Sequence, residues 1–376
     1  MPNKKNLNIG EDIIMTFDNF IIWLMAIGIL LGAIDRLLKN KFGLGEKFEE
    51  GLNSMGPLAL SMVGIVSLSP VISKILSPII IPVYKLLGAD PAMFASILAN
   101  DMGGYQLALS LGENKEIALF SGLIVAAMLG CTIVFSIPVA LGLIEDKDKE
   151  FFAKGLLIGL STIPLGSIVG GLVMKINIKI LLVNVIPIIL ISLLLILGLK
   201  FFQKTMIKGV LCFGKFILWL STIGLAAAAF ESLTGIVLIK GMAPIQEGMN
   251  VVINIGIVLL GTFPMLTLII KVLDKPLRKI GKYIGLDATS IAGIIFSSAN
   301  SIPVFKMLKD MNNRGKIINV AWLVSATSTL GAHLGFTAGV ETKMIIPVIV
   351  SKLFAGVCAI VIALFFTRDK SKIQEY

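Results

Sequence analysis

The chain has 376 residues, of which 56% are hydrophobic and only 15% are charged, and its formal net charge is +10. A soluble protein of this length would need far more polar surface to cover its core, so the composition excludes a soluble protein. The basic residues lie in short loops between apolar segments, which is typical of membrane orientation and argues against nucleic-acid binding.

The apolar segments predict an all-α, multi-pass membrane protein, because stretches of about 17–25 residues recur along the chain. The first, at 13–35, keeps a charged end, Asp35-Arg36, and has no small-residue cleavage site, so it is predicted to be a retained span. The predicted segments are 13–35, 55–73, 91–110, 117–144, 155–174 and 180–199, then 210–230, 249–270, 288–305, 317–339 and 344–366.

Loop charge predicts the topology. The linker 200–215 carries four lysines and no acid, so we expect it in the cytoplasm, with the N-terminus outside. The loops 271–287 and 306–316 are both basic, which implies that segment 288–305 enters and returns as a re-entrant hairpin or broken helix. The same reasoning makes 91–110 a hairpin, with breaks predicted at Met102-Gly103-Gly104 and at Pro303. If both hairpins crossed fully, the chain would have eleven spans.

The sequence also contains an internal duplication. Trp219 follows Trp23 by 196 residues, Asp287 follows Asp90 by 197, and Asn300 follows Asn100 by 200. The ordered matches predict a first repeat at 1–205, with an extra connecting span, and a second at 206–376. The charge pattern makes them two inverted repeats with about nine to eleven membrane segments, the usual plan of a secondary transporter with a midplane site.

Asp101 is the first candidate site residue. It is the only charged residue between Asp90 and Glu113. A carboxylate at bilayer depth costs about 2.5–3.5 kcal/mol, so it needs a partner or a water-filled cavity. It could bind a cationic solute or coupling ion, or it could cap a broken helix, and one residue can do both.

Asn100 and Asn300 occupy matched positions. Each could offer its amide to a small polar substrate from opposite sides of one site, or could close the backbone groups freed by its own helix break. Weaker candidates of the same group are Ser297, Ser298, Ser301, Gln106 and Tyr105, the last expected to pack more than to bind.

His333 is the only histidine. A histidine in a span is a candidate proton relay or gate residue, and a neutral imidazole bonded to a neighbouring helix is the alternative. Thr132 is its counterpart in the first repeat, so the predicted site is asymmetric.

The remaining features predict no further chemistry. The three cysteines have no metal-ligand spacing, no phosphate-binding loop or catalytic triad occurs, and we expect no cofactor, no metal and no enzyme activity. The runs Gly224–Ala229 and Gly170-Gly171 are predicted to allow close helix packing. Acidic residues at segment ends are predicted as solvated ends or helix caps: Asp35, Glu231, Glu50, Glu247, Asp90 and Asp287.

A series of motifs runs in order over nearly the whole chain, at 48–51, 78–84, Asp101-Met102-Gly103-Gly104, 132–142, Asn300-Ser301-Ile302-Pro303, 314–316 and His333-Leu334-Gly335-Phe336. In these motifs the chain resembles the EutH family, the ethanolamine permeases of bacterial ethanolamine-utilisation systems. Two positions depart from the family pattern: Ala332 stands where an acidic residue can precede the histidine, and Ser301 replaces a second asparagine. A carboxylate–histidine proton relay is therefore not implied here.

The resemblance implies a multi-pass permease for ethanolamine in the bacterial plasma (inner) membrane. Ethanolamine and membrane lipid are the expected partners, and whether the protein is a monomer or a homo-oligomer stays open. A sodium- or proton-coupled carrier of another small polar solute, even an anionic one, is the first alternative. A membrane sensor or scaffold is the second, and solute flux through the purified protein would dismiss it.

Overall fold

The computed structural model describes residues 17–98 and 102–367. Asn100 and Asp101, and residues 13–16 of the first predicted segment, lie outside the described residues. Within the described part the chain is entirely helical, and eight of its helices are long and apolar enough to cross a membrane. The predicted all-α, multi-pass class is confirmed.

The elements follow one another in two series that flank a pair of connecting helices. The first series is α1 (Phe17–Leu37), α2 (Leu44–Asn53), α3 (Met55–Leu86), a 3-10 turn (Pro91–Phe94), α4 (Ala95–Leu98), α5 (Gly104–Leu111), α6 (Lys115–Leu119), π-helical turns (Phe120–Gly130 and Thr132–Ser136) and α7 (Ile137–Leu143). The connecting helices are α8 (Lys149–Val173) and α9 (Ile178–Phe201). The second series is α10 (Gln203–Thr234), α11 (Ile245–Tyr283), α12 (Ala288–Ser297), α13 (Ile302–Met307), α14 (Asn313–Ala326), α15 (Ala332–Val340) and α16 (Ile345–Phe366).

Residues 115–143 form one continuous rod, which we call the central helix. It begins at Asn114, whose side-chain oxygen accepts from the amides of Glu116 and Ile117. Every residue of its π-helical turn Phe120–Gly130 is buried, and π-helical turns of this kind often occur at functional sites. The core of the bundle therefore surrounds this helix.

Close helix packing surrounds the central helix, as the glycines predicted. A Cβ added at Gly224 of α10 would lie 2.5 Å from the carbonyl oxygen of Gly64 in α3, so only glycine fits at this crossing. On the other side, Gly170 of α8 packs against Ser351 of α16.

The bundle has two distinguishable ends. At the basic end, the Lys271 ammonium donates to the carbonyl of Phe42, and Lys316 forms a buried ion pair with Asp148. At the opposite end, the amide of Ala243 donates to the carbonyl of Ser67, close to where α11 begins. The α8–α9 connection also lies at the opposite end, because α8 starts beside Lys316 and runs for 25 residues, about 37 Å.

The first hairpin, residues 90–114, begins and ends at one carboxylate. The Asp90 carboxylate accepts from the amide of Ala92 at its start and from the amides of Glu113 and Asn114 at its end. We call Asp90 and Asn114 the first anchor. The amide of Asp90 donates to the side-chain oxygen of Asn184, near the start of α9, which places this anchor at the opposite end.

The second hairpin, residues 287–312, is built in the same way. The Asp287 carboxylate accepts from the amide of Ser290 at 2.7 Å and from the amide of Asn312, whose own side chain caps α14 through the amide of Gly315. We call Asp287 and Asn312 the second anchor. It lies at the basic end, where α11 finishes. Two of the predicted acidic caps thus bring each hairpin back to the side from which it entered.

Several predicted boundaries differ from the structure. Helix α3 continues past the predicted end at 73 to Leu86, although it contains Pro78 and Pro82. In the second hairpin the backbone gap precedes Pro303, which starts α13 because proline is tolerated in a first helical turn. The predicted single segment 317–339 is divided into α14 and α15.

Candidate functional site

Two helix breaks of the second series pack against each other. The break Ser298–Ser301 separates α12 from α13, and Thr327–Gly331 separates α14 from α15. The amides of Ser328 and Leu330 donate to the carbonyls of Ser297 and Ser298. Ser328 has φ +55°, a left-handed conformation that costs a non-glycine residue roughly 1–2 kcal/mol. The pairing of the breaks therefore satisfies backbone groups that a continuous helix would otherwise bond.

Asn300 and Ser301 lie at the tip of the second hairpin. The Asn300 side chain is exposed, and its amide oxygen accepts from the amide of Ile302, which closes the start of α13. This bond is the local role that the sequence offered as one alternative, and it leaves the amide NH2 group on the exposed side. Ser301 is buried, and its hydroxyl has no hydrogen-bond partner among the described residues.

Ser297 has a structural environment. Its hydroxyl donates to the carbonyl of Ile294 and accepts from the indole nitrogen of Trp322 at 2.9 Å. These contacts fix the end of α12 against α14. Ser297 therefore positions the hairpin tip, and Ser301 is the serine of this group with an unused hydroxyl.

Tyr105 and Gln106 lie on α5, directly after the tip of the first hairpin. The Tyr105 ring packs edge-on against Phe336 of α15, with centroids 6.0 Å apart, so α5 contacts the second series. Gln106 is half-buried beside it. Asn100 and Asp101 precede this segment and lie outside the described residues.

His333 is buried in the first turn of α15, directly after the break Thr327–Gly331. Its amide donates to the carbonyl of Ser328, and its carbonyl accepts from the hydroxyl of Thr337. Thr132, its counterpart, lies 2.7 Å from the carbonyl of Met128 and 3.1 Å from that of Val324 in α14. His333 and Thr132 thus both lie close to the break Thr327–Gly331.

Lys352 is a charged residue that the sequence reasoning missed. It is fully buried in α16, and its ammonium donates at 2.6 Å to the carbonyl of Ala127 in the π-helical turn. Gly356, one helical turn further along α16, packs against Trp322 and Ala326. Since Ala326 directly precedes the break Thr327–Gly331, Lys352 lies within about one helical turn of that break. A lysine inside an apolar segment is the same signal that identified Asp101, and it could have been read from 344–366.

The described residues therefore combine three features in one layer of the bundle: paired helix breaks, a hairpin tip with amide and hydroxyl groups, and a buried ammonium on a backbone carbonyl. Such groups can hold a small polar or charged solute by hydrogen bonds and charge. No cluster of metal-ligating side chains occurs in the described part of the chain.

Comparison with known proteins gives a family match over nearly the whole chain. The model of the family described as "Ethanolamine utilisation protein, EutH" matches residues 17–366. A "Probable ethanolamine permease EutH" from Listeria monocytogenes is 51% identical over 365 residues, covering 96% of this chain and 98% of the relative.

Two further relatives cover the chain to a similar extent. An "Uncharacterized protein YxeR" from Bacillus subtilis is 45% identical over 96% of this chain and 98% of its own length. A "Probable ethanolamine permease EutH" from Escherichia coli is 43% identical over 93% of this chain and 95% of its own length. No solved structure matches the chain.

Proposed function

Because the chain belongs to the EutH family of ethanolamine utilisation proteins, we propose that it carries ethanolamine, as the protonated cation, across the bacterial cytoplasmic membrane. It is a multi-pass membrane protein of that membrane. The observation that carries the proposal is the pair of anchored hairpins, which bring irregular backbone into an otherwise apolar helical bundle.

The proposed architecture is an inverted repeat. The first anchor lies at the opposite end and the second at the basic end, and each joins an aspartate at the start of a hairpin to an asparagine that caps the next helix. In this arrangement nine segments cross the membrane, α14 and α15 counting as one, and the basic end faces the cytoplasm. The two repeats move relative to each other around a site between the hairpin tips, which gives alternating access.

The proposed site uses the hairpin tips. Asp101 binds the ammonium, because an opposite charge in a water-poor site is the strongest available partner for a cation. Asn100, Asn300 and Ser301 orient the hydroxyl and the remaining N–H groups, and Gln106 borders the site. Tyr105 and His333 line it beside Phe336 and the second break.

Lys352 contributes a fixed positive charge to the core of the bundle. Its ammonium is the same chemical group as that of the substrate, and it already uses a backbone carbonyl of the central helix. We propose that Lys352 keeps the charge of the core balanced when the site holds no substrate. This role explains why a cation is retained at a depth where it costs about 2.5–3.5 kcal/mol.

Replacing Lys352 by methionine is expected to lower ethanolamine uptake at least about tenfold, because the core then loses one positive charge and the Ala127 carbonyl loses its donor. Lys352→Arg keeps the charge and is expected to retain more uptake than Lys352→Met. Lys343→Met, which removes an exposed lysine just before α16, is the control and should leave uptake unchanged. Equal uptake by Lys352→Met and the wild type, at equal amounts of protein in the membrane, would contradict this role.

The proposed function is tested by uptake of labelled ethanolamine into proteoliposomes at pH 5.5. A primary alkylamine resembles the lysine side chain, with a pKa of about 10.4, so its free base falls tenfold for each pH unit below that value. Leakage of free base is therefore smallest in acid, where carrier-mediated uptake of the cation persists. Uptake should saturate, and short protonated amino alcohols should compete with it whereas small carboxylates should not.

The competing function is transport of an anionic solute, and the buried ammonium of Lys352 is the observation that favours it. The same competition series decides between the two. Inhibition by carboxylates with no inhibition by amines would reject the cation proposal and assign Lys352 to the substrate.

A further inference from the structure

A large groove opens at the basic end, away from the proposed transport site. Its volume is about 1120 Å³, and its walls come from α8, α9, α14 and α16. Ethanolamine has four non-hydrogen atoms, and a drug-sized ligand already fills a pocket of about 300–1,000 Å³. The groove is therefore much too large to be a selective site for that solute.

Charged and apolar side chains line different parts of the groove. Its basic residues Lys154, Lys200 and Arg314 lie near helix ends, where α8 and α14 begin and α9 finishes. The deeper wall is apolar up to Ser161, eleven residues after Glu150 on α8, a depth of about 16 Å. The apolar wall residues are Leu157, Ile158, Ile196, Ile317, Ile362 and Phe366.

The charged rim has a positive surplus. Glu150, the one acid among the described lining residues, forms an ion pair with Lys154. Lys200 and Arg314 have no acidic partner among the described residues, and the Nε atom of Arg314 is buried without a hydrogen-bond partner there. A cation such as protonated ethanolamine would be repelled by this rim, whereas an anion would be attracted.

We propose that this groove binds one anionic phospholipid of the cytoplasmic leaflet, such as phosphatidylglycerol. The phosphate lies at Arg314 and Lys200, and the start of an acyl chain lies along the apolar wall between α9 and α16. A phospholipid has this sequence of charge followed by hydrocarbon, and basic pockets between helices at a cytoplasmic face recognise anionic headgroups. The inference does not depend on which solute is transported.

Native mass spectrometry of the purified full chain, with equal amounts of phosphatidylglycerol and phosphatidylcholine, tests the proposal. The wild type should retain phosphatidylglycerol preferentially. Lys200→Gln and Arg314→Gln should each reduce that preference about fivefold, because one cation near an anionic lipid contributes about that factor. Lys179→Gln, at the other end of α9, is the matched control and should keep the wild-type preference.

A groove-filling variant separates a seated lipid from loose surface attraction. Ser161→Trp leaves the rim charges intact and fills the deep part, so it should reduce retention of phosphatidylglycerol at least about fivefold. No preference in the wild type, or an unchanged preference in Lys200→Gln and Arg314→Gln, would overturn the proposal. So would complete displacement by soluble glycerol 1-phosphate, which would indicate a phosphate site, or a dimer that Ser161→Trp abolishes, which would indicate a second copy in the groove.

Discussion

Replacing Asp101 by asparagine is expected to reduce ethanolamine uptake at pH 5.5 by at least about thirtyfold. The substitution keeps the size of the side chain and removes the negative charge that we propose binds the ammonium. Removing one partner of a desolvated charge pair costs about 2–5 kcal/mol, which corresponds to a factor of about 30 to several thousand. The measurement is initial uptake in proteoliposomes, normalised to the amount of inserted protein.

Glu113→Gln is the matched control for Asp101→Asn. Glu113 stands at the end of the same hairpin, where it is exposed and pairs with Lys85 across 3.0 Å at the surface. Exposed pairs of this kind contribute about 0–1 kcal/mol, so uptake should stay within about twofold of the wild type. Wild-type uptake by Asp101→Asn would contradict the proposal that Asp101 binds the ammonium of the substrate. It would not affect the family assignment.

Replacing Asp287 by alanine is expected to destabilise the protein by about 3 kcal/mol and to abolish uptake. The carboxylate accepts from the amides of Ser290 and Asn312, and a hydrogen bond to a charged group contributes about 1.5–3 kcal/mol. Without it the second hairpin loses the bond that returns its end to its start. A thermal scan in detergent should show a midpoint lower by about 4 °C.

Two companion variants make the Asp287 result specific. Asp90→Ala removes the corresponding carboxylate of the first anchor and should have an effect of similar size. Asp310→Ala removes an exposed acid near the end of the second hairpin and should leave the midpoint unchanged. If Asp287→Ala melted at the wild-type temperature, the anchor would contribute nothing to stability.

Loop charge predicted part of the fold. Two consecutive basic loops implied that 288–305 turns back, and the bonds from Asn312 and Ser290 to Asp287 bring its ends together. Matched spacing also paired Asp90 with Asp287 in the sequence, and the repeat that this spacing implies stays a prediction. The turn of 288–305 could be predicted because it depends on loop charge, which the sequence records directly.

The helix boundaries and the break in 317–339 could not be predicted in the same way. The apolar segment predicted at 55–73 was too short, because packing within the bundle supports a helix that continues through Pro78 and Pro82. The break Thr327–Gly331 contains no proline. It exists because its amides bind carbonyls at the tip of the second hairpin, a contact between segments about thirty residues apart. Periodicity within one segment carries no information about such a partner.

The candidate site was predicted only in part. Asn300 and Ser301 lie at the hairpin tip, but the bond from Ile302 to Asn300 and the indole bond to Ser297 depend on tertiary structure. Lys352 required no tertiary knowledge, since one lysine among apolar residues was visible in the sequence.

The two anchors also bear on how this protein can diversify. Each holds its hairpin through a carboxylate and main-chain amides at the surface, about ten residues away from the tip that we propose meets the solute. Side chains at the tip can therefore be exchanged without releasing the hairpin from the bundle. In this proposal, selectivity and stability depend on different residues. A few substitutions at the tips can therefore change the transported solute while the anchors keep the fold stable.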